Sequence, residues 1–177
     1  MGAWNAERRR WRQGIRALSA GLRPVEDTLA QTHLPPPLYT LYRELRRGER
    51  QHSLNVLRSL QTSGEAHPAL LQAALLHDVG KSRTPFYLWE RVIVVLANKA
   101  FPVAAHRWGT YHTPTGWRRP FVINVQHAQW GADMVREAGG DPLLVALIAA
   151  HPEPGAFRDD LEGATLLAAL QKADDTN

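Results

Sequence analysis

Hydrophobic residues recur along this chain at intervals of three and four, the spacing of α-helices, and alternating β-strand patterns are absent. Glycines and prolines separate the periodic stretches. The pattern predicts an all-α fold, a single-domain helical bundle. The predicted helices cover residues 4–22, 25–32, 38–47, 52–60, 68–78, 85–100, 128–138, 142–151 and 160–175.

The expected breaks lie where glycine and proline cluster. Three consecutive prolines at 35–37 cannot occupy a helix interior, because each removes a backbone donor and clashes with the preceding turn. Gly48 is expected to end the helix over 38–47, and Pro102 to close the helix over 85–100. Residues 109–120 contain two glycines and two prolines, which predicts a loop.

Length and composition limit the class of protein. A chain of 177 residues with 44% hydrophobic and 21% charged residues is typical of one globular domain. It contains no cysteine, which excludes disulfides, thiolate metal sites and a cysteine nucleophile. A metal would therefore be held by carboxylates and some of the eight histidines. No apolar run is long enough for a membrane span and no secretory signal is evident, so a cytoplasmic location is expected.

Positive charge is concentrated at the front of the chain. Residues 1–60 hold 11 arginines and five acidic residues, whereas residues 61–177 have a net charge of −2. The arginines at 8–10 and 12 fall in an amphipathic helical pattern with Trp4 and Trp11, which favours a solvated helix face. A nucleic-acid interface would need basic and aromatic residues together at several places, so no nucleic-acid partner is expected.

The most distinctive chemistry is a His77-Asp78 pair at the polar end of an apolar helix. Leu70, Ala73 and Ala74 share the face of His77. An ionised Asp in such surroundings is unfavourable unless it is paired or bound to a metal. Taken alone, the pair fits a capped helix end with a hydrogen-bonded histidine equally well.

Three further histidines favour a metal site. His52, His127 and His151 each lie on an inner helix face or at a helix end. A single histidine on an apolar face is usually a core residue with its hydrogen bonds satisfied. Four of them together with an Asp resemble a set of metal ligands.

The order of these residues resembles the signature of the HD superfamily of metal-dependent phosphohydrolases, namely a His, a His-Asp pair and a late Asp. The segment 75–81 (LLHDVGK) is close to the usual motif. Segments 50–53, 127–132 and 173–174 match around the other ligands, and the resemblance covers roughly residues 48–175.

The resemblance implies a set of metal ligands. His52, His77, Asp78 and Asp174 correspond to a single-metal site, and His127 and His151 to the additional ligands of the binuclear branch, in which Asp78 bridges two ions. Asp174 is preferred to Asp175 because it follows Leu167 and Leu170 on an apolar face. Imidazole-rich ligands favour two divalent transition ions such as Fe, Mn, Co or Zn over Mg.

The expected reaction is attack by a metal-bound hydroxide on a phosphomonoester or phosphoanhydride, in particular of a nucleotide. Asp78 and Lys81 are the candidate catalytic residues, and Arg50, Lys81 and Arg83 the candidate substrate-binding residues. Lys81 has two further interpretations, as a partner of a ligand carboxylate or as a lysine favoured by the helix dipole.

The domain boundaries are expected to follow the resemblance. Residues 1–47 form an N-terminal helical segment, with an Arg-rich start, packed on an HD-type domain at 48–177. Residues 82–120 read as an insertion rich in aromatic residues and arginine, which can stack on a base and hold phosphate. Alternatively, Tyr87, Trp89 and the apolar run 92–96 form core or a homodimer contact. Charges at Glu90, Arg91 and Lys99 argue against a membrane-surface role.

Besides nucleic-acid binding through the arginine-rich N-terminus, which would show an affinity that falls steeply with salt, two functions are compatible with these features. The first is hydrolysis of a phosphorylated small molecule. The chain looks similar to small bacterial enzymes that split symmetrical dinucleoside tetraphosphates, and it lacks the Gly-Tyr-Pro extension of cyclic-di-GMP phosphodiesterases. The second is a regulatory module of the HD fold that binds metal and nucleotide without turnover.

Overall fold

The computed structural model describes residues 25–157 and 159–177, and within them the chain is helical with no β-strand. The prediction of an all-α fold is confirmed. The helix predicted over 4–22 lies outside the described residues. The described α-helices are α1 (Asp27–His33), α2 (Pro36–Glu44), α3 (Arg47–Thr62), α4 (Pro68–Leu76), α5 (Leu88–Ala100), α6 (Pro102–Gly109), α7 (Arg119–Glu137), α8 (Pro142–Ala150) and α9 (Leu161–Thr176).

The main core forms around α4 and α8, the two most apolar helices. All residues of α4 except Pro68 and Gln72 are buried. Both helices contain few polar side chains, so neither has a face suited to water, and both occupy the interior. Helix α4 packs against α3, α8 and α9, and α8 packs against α7. The carboxyl-terminal ends of α4 and α8 therefore lead into the interior of the protein.

Helices α1 and α2 pack on this core. Ala30, Leu38 and Tyr42 are fully or almost fully buried in it. Asp27 accepts a hydrogen bond from the Tyr42 hydroxyl at 3.1 Å and forms an ion pair with Arg50 at 3.0 Å. These polar contacts attach α1 to α2 and α3.

The boundary expected at Gly48 is wrong. Helix α2 already ends at Glu44, and Gly48 lies in the first turn of α3. The Glu49 side chain accepts a hydrogen bond from the backbone N–H of Arg46 at 3.2 Å, as the acidic member of a capping box does. A glycine in a first turn leaves the helix intact when the neighbouring residues cap it.

Two prolines begin helices where the sequence suggested only breaks. Pro102 follows the end of α5 but is the first residue of α6, and Pro120 lies in the first turn of α7. Proline is tolerated there because the first N–H groups of a helix have no partner within it. The expected loop is therefore limited to 110–115 and a short 3₁₀ turn, Gly116–Arg118.

A close backbone approach joins the end of α4 to α7. The 3₁₀ turn that follows α4, Val79–Ser82, lies against α7. A Cβ atom on Gly80 would lie 1.9 Å from the carbonyl oxygen of His127 and 2.7 Å from the backbone nitrogen of Gly131. Only glycine fits at this position without moving one of the two segments.

We expect Gly80→Ala to lower the free energy of unfolding by roughly 2 kcal/mol or more, because the added methyl group must push the turn away from α7. Urea denaturation measures the change. Gly48→Ala is the matched control: a Cβ there meets nothing within 4 Å, and alanine is favoured in a helix by up to about 1 kcal/mol. Equal effects of the two substitutions would contradict the steric explanation.

Candidate metal centre

Five helices bring the six predicted metal ligands to one place. His52 lies on α3, His127 on α7 and Asp174 in the last turn of α9. His77 and His151 directly follow the last residues of α4 and α8. Because α4 and α8 are buried, their ends place His77, Asp78 and His151 in the interior beside α7.

The ligands form two groups, each of which can hold a metal ion. His52, His77 and Asp174 make the first group, and Asp78, His127 and His151 make the second. Within each group the potential ligand atoms lie within 4.8 Å of one another. Nε2 of His52 is 2.8 Å from Oδ1 of Asp174, and Nε2 of His77 is 3.6 Å from the same oxygen.

Asp78 belongs to the second group but directs one oxygen towards the histidines of each group. Its Oδ1 is 3.5 Å from Nε2 of His127 and 4.0 Å from Nε2 of His151. Its Oδ2 is 3.8 Å from Nε2 of His77. A carboxylate placed in this way can contact two cations at once.

Backbone hydrogen bonds orient three of the imidazoles. In each, Nδ1 contacts the carbonyl oxygen three residues earlier: 3.1 Å for His77, 2.8 Å for His127 and 2.7 Å for His151. A carbonyl can only accept, so Nδ1 carries the proton and donates. In the neutral ring, Nε2 is then left with a lone pair directed into the cluster.

These lone pairs fit a divalent metal. Nε2 of His77 is buried and has no hydrogen-bond partner. Nε2 of His127 and Nε2 of His151 are 3.2 Å apart, and neither carries a hydrogen when both Nδ1 atoms donate to the backbone. Facing lone pairs repel each other unless a cation lies near both. Imidazole nitrogens with carboxylate oxygens suit Zn, Fe, Mn or Co.

The pKa values of two histidines also favour the form that binds metal. Burial, followed by the positive charge of Lys81, lowers the pKa of His127 from 6.5 to about 3. Burial and the neighbouring His77 lower the pKa of His151 to about 4. Both rings are therefore neutral at pH 7, as a metal ligand must be.

Asp78 and Asp174 remain ionised despite their burial. Burial alone would raise the pKa of Asp78, but Lys81 and the surrounding histidines outweigh it and hold that pKa well below its usual range. The hydrogen bond with His52 and the nearby His77 similarly outweigh the effect of partial burial and lower the pKa of Asp174. For His77 burial opposes protonation, yet Asp78 and Asp174 raise its pKa. The cluster therefore attracts positive charge.

Lys81 forms an ion pair with one of the candidate ligands. Its Nζ lies 2.6 Å from Oδ2 of Asp78. The structure thus contains the pairing of Lys81 with a ligand carboxylate that was one of its three expected roles. The 3₁₀ turn at Val79–Ser82 brings the lysine back towards Asp78.

A cavity of about 510 Å³ opens beside the cluster, a volume typical of small-molecule sites. Two cations, Lys81 and Arg91, lie in its lining, and Arg91 forms an ion pair with the buried Glu49. The described residues of the lining are His52, Asp78, Lys81, Arg91, His127, His151, Pro152, Pro154, Gln171, Asp174 and Asp175.

The structure does not bring Arg50 and Arg83 into this lining. Arg50 forms an ion pair with Asp27, and the Arg83 guanidinium lies 5.5 Å from the centre of the Trp130 ring. Arg91, in contrast, was not among the predicted substrate-binding residues. It lies only one residue from Glu90 and resembles the other arginines of the insertion, so the sequence contained no signal that distinguished it.

Comparison with models of protein families matches residues 50–176 to the HD domain. The chain belongs to the HD domain family. HD domains are all-α and belong to a superfamily that consists largely of metal-dependent phosphohydrolases. The predicted superfamily is therefore confirmed. Searches of curated proteins and of solved structures found no match. Among the described residues, no helix is long and apolar enough to cross a membrane.

The two depressed histidine pKa values predict that the metal-free HD domain loses stability as the pH falls from 6.5 towards 4. In this window the unfolded chain protonates both histidines, whereas folded His127 and His151 stay neutral down to about pH 3 and about pH 4. The unfolded state thus binds more protons, and each histidine contributes up to about 1.4 kcal/mol per pH unit. Asp78 and Asp174 raise the pKa of His77, and a raised histidine pKa contributes stability that is retained as the pH falls through this window.

Urea denaturation of chelator-treated protein across this pH range measures the effect. The double variant His127→Gln, His151→Gln should show a flatter dependence, because it lacks the two groups that titrate. An unchanged slope in the variant would assign the pH dependence to other residues.

Proposed function

We propose that this HD domain hydrolyses a phosphomonoester or phosphoanhydride of a nucleotide with two divalent transition-metal ions. The observation that carries the proposal is the placement of Asp78, because one of its oxygens faces Nε2 of His77 and the other faces Nε2 of His127. In the neutral rings both Nε2 atoms carry no hydrogen, since Nδ1 donates to the backbone. A carboxylate placed in this way is suited to bridge two metal ions.

Each ion would have its own set of side chains. His52, His77 and Asp174 would hold one ion, and His127 and His151 the other, with Asp78 shared between them. When bound, the metals lower the pKa of a water molecule to near neutrality and stabilise negative charge on the phosphoryl oxygens. No side-chain nucleophile is required.

Two cations of the cavity are suited to bind phosphate. Lys81 pairs with Asp78 at 2.6 Å and is partly exposed to the cavity. A metal that neutralises Asp78 would weaken this ion pair and leave the ammonium group for a substrate oxygen. Arg91 lines the same cavity and offers a planar guanidinium for bidentate contact with phosphate.

The support for a nucleotide comes from the size and charge of the cavity. A volume of about 510 Å³ accommodates more than inorganic phosphate. The described lining contains no Phe, Tyr or Trp, so a base would contact Pro152, Pro154 and Gln171 rather than the aromatic residues of the insertion.

Substitution of His151 tests the two-metal proposal. We expect His151→Ala to retain about half of the bound metal and to lose roughly two orders of magnitude or more in kcat. The second ion would lose a ligand while the first group stays complete, and loss of a metal's charge stabilisation is worth several kcal/mol. Elemental analysis of protein purified without chelator gives the metal content, and hydrolysis of a panel of nucleoside mono-, di- and polyphosphates gives the rate.

Two further variants complete this experiment. Asp78→Ala should lose both ions because the bridge serves both, whereas His106→Ala removes an exposed histidine outside the cavity and should change neither metal content nor rate. Retention of all metal in Asp78→Ala would contradict the assignment of ligands. Full metal content and nucleotide binding without hydrolysis of any substrate would instead support a regulatory module.

A further inference from the structure

Helix α5 exposes a continuous apolar face. Each of its large apolar residues except the buried Val94 is at least 41% exposed. On a regular helix these residues span about 160° of one side. They are Leu88, Trp89, Val92, Ile93, Val95 and Leu96. Their exposure is opposite to the expectation that this run forms core, and an apolar surface of this extent usually marks an interaction site.

The charges that interrupt the run in the sequence point elsewhere in the structure. Glu90 is only 1% exposed and forms an ion pair with Arg119. Arg91 forms an ion pair with Glu49. Only Lys99 remains on the apolar side, in the last turn. The argument against a membrane-surface role, which rested on these three charges, therefore does not hold.

A groove of about 600 Å³ continues this face towards α6 and α7. None of the described residues that line it is charged. They include Trp89, Ile93, Leu96, Phe101, Trp108 and Trp117. Three tryptophans thus contribute to one open apolar surface, and two of them, Trp89 and Trp117, are about 60% exposed.

Three basic residues, Lys99, Arg107 and Arg118, adjoin the groove. The segment 82–120 contains six basic residues and one acidic residue, and that acidic residue is the buried Glu90. Lys99 and Arg107 are exposed, next in sequence or within one turn of residues that line the groove. Arg118 lies over the ring of Trp117, 5.0 Å from its centre. A partner for this surface needs apolar groups together with negative charge.

Three partners could cover this surface: a second copy of the chain, the N-terminal segment of the same chain, or a lipid bilayer. The charge pattern distinguishes between them. A second copy of the chain would bring together two apolar faces that are flanked by the same exposed basic residues, Lys99 and Arg107. The N-terminal segment contains the arginines at 8–10 and 12, so it would also bring like charges together. Like charges in apposition weaken an interface. An anionic lipid bilayer offers negative headgroups above an apolar interior.

We propose that the apolar face of α5 and the adjoining groove dock on the surface of an anionic lipid bilayer. Leu88, Val92 and Leu96 would enter the boundary between headgroups and acyl chains, where Trp89 and Trp117 are also favoured. Lys99 and Arg107 would contact the anionic headgroups, which attract basic residues close to the membrane surface. Helix α5 would lie in the plane of the membrane without crossing it.

Flotation of the full-length protein with lipid vesicles tests the proposal. We expect binding to vesicles of mixed phosphatidylglycerol and phosphatidylcholine, and much weaker binding to phosphatidylcholine alone or at high salt, because screening weakens contacts with headgroups. The double variant Val92→Glu, Leu96→Glu should reduce the partition coefficient about tenfold or more, because it removes two apolar side chains from the bilayer.

The matched control is Leu161→Glu. Leu161 is 85% exposed in the first turn of α9 and belongs to neither α5 nor the groove, so this change should leave binding to vesicles unaltered. Circular dichroism and metal content of the double variant should equal those of the parent. Binding to vesicles requires no substrate, so the outcome is independent of whether the protein is a hydrolase.

Three results would overturn the proposal. Absence of binding to anionic vesicles would leave the face without a lipid partner. Equal binding of the double variant and the parent would assign the contact to another surface, such as the arginine-rich N-terminus. A dimer in light scattering that the double variant converts to a monomer, without binding to vesicles, would identify the face as a contact between copies.

Discussion

The burial of Asp78 among imidazoles is the constraint on which the structure of this HD domain depends. An ionised carboxylate in the interior is unfavourable without compensation. Here the compensating groups are Lys81 and His77, which adjoin Asp78 in sequence, and the histidines supplied by α7 and α8. These helices must approach closely to supply them, which is why the 3₁₀ turn lies directly on α7 at Gly80. The apolar character of α4 and α8 then serves a second purpose, because burying these helices also buries the polar residues at their ends.

The sequence predicted the helices well where periodicity was strong and predicted their ends poorly where glycine and proline were concerned. Helices α4, α8 and α9 follow the expected ranges closely. Gly48, Pro102 and Pro120 were interpreted as breaks, but each lies in the first turn of a helix. A proline prevents continuation of the helix before it and permits a new one after it, so its presence does not decide which occurs.

Ligand-type residues were easier to recognise than residues that bind through charge. The structure brings the six candidate ligands together, as the order of the motifs suggested. They could be recognised in the sequence because several histidines on apolar helix faces, together with an aspartate, are unusual. An arginine is common on any surface, and its direction depends on tertiary partners. Arg91 lines the cavity and pairs with Glu49, Arg50 pairs with Asp27, and the buried Glu90 pairs with Arg119. None of these three pairings joins neighbours in sequence, so periodicity carried no information about them.

Three imidazoles are oriented by their own helical turns. Nδ1 of His77, of His127 and of His151 donates in each case to the carbonyl oxygen three residues earlier. The orientation of each ring is set within a single helical turn and does not require an aspartate or glutamate from elsewhere to hold it. What the rest of the chain must provide is only the spacing between the three turns. Because each ring is oriented within its own turn, we expect that the same three turns, placed at the same spacing in another helical protein, would present their imidazoles in the same way.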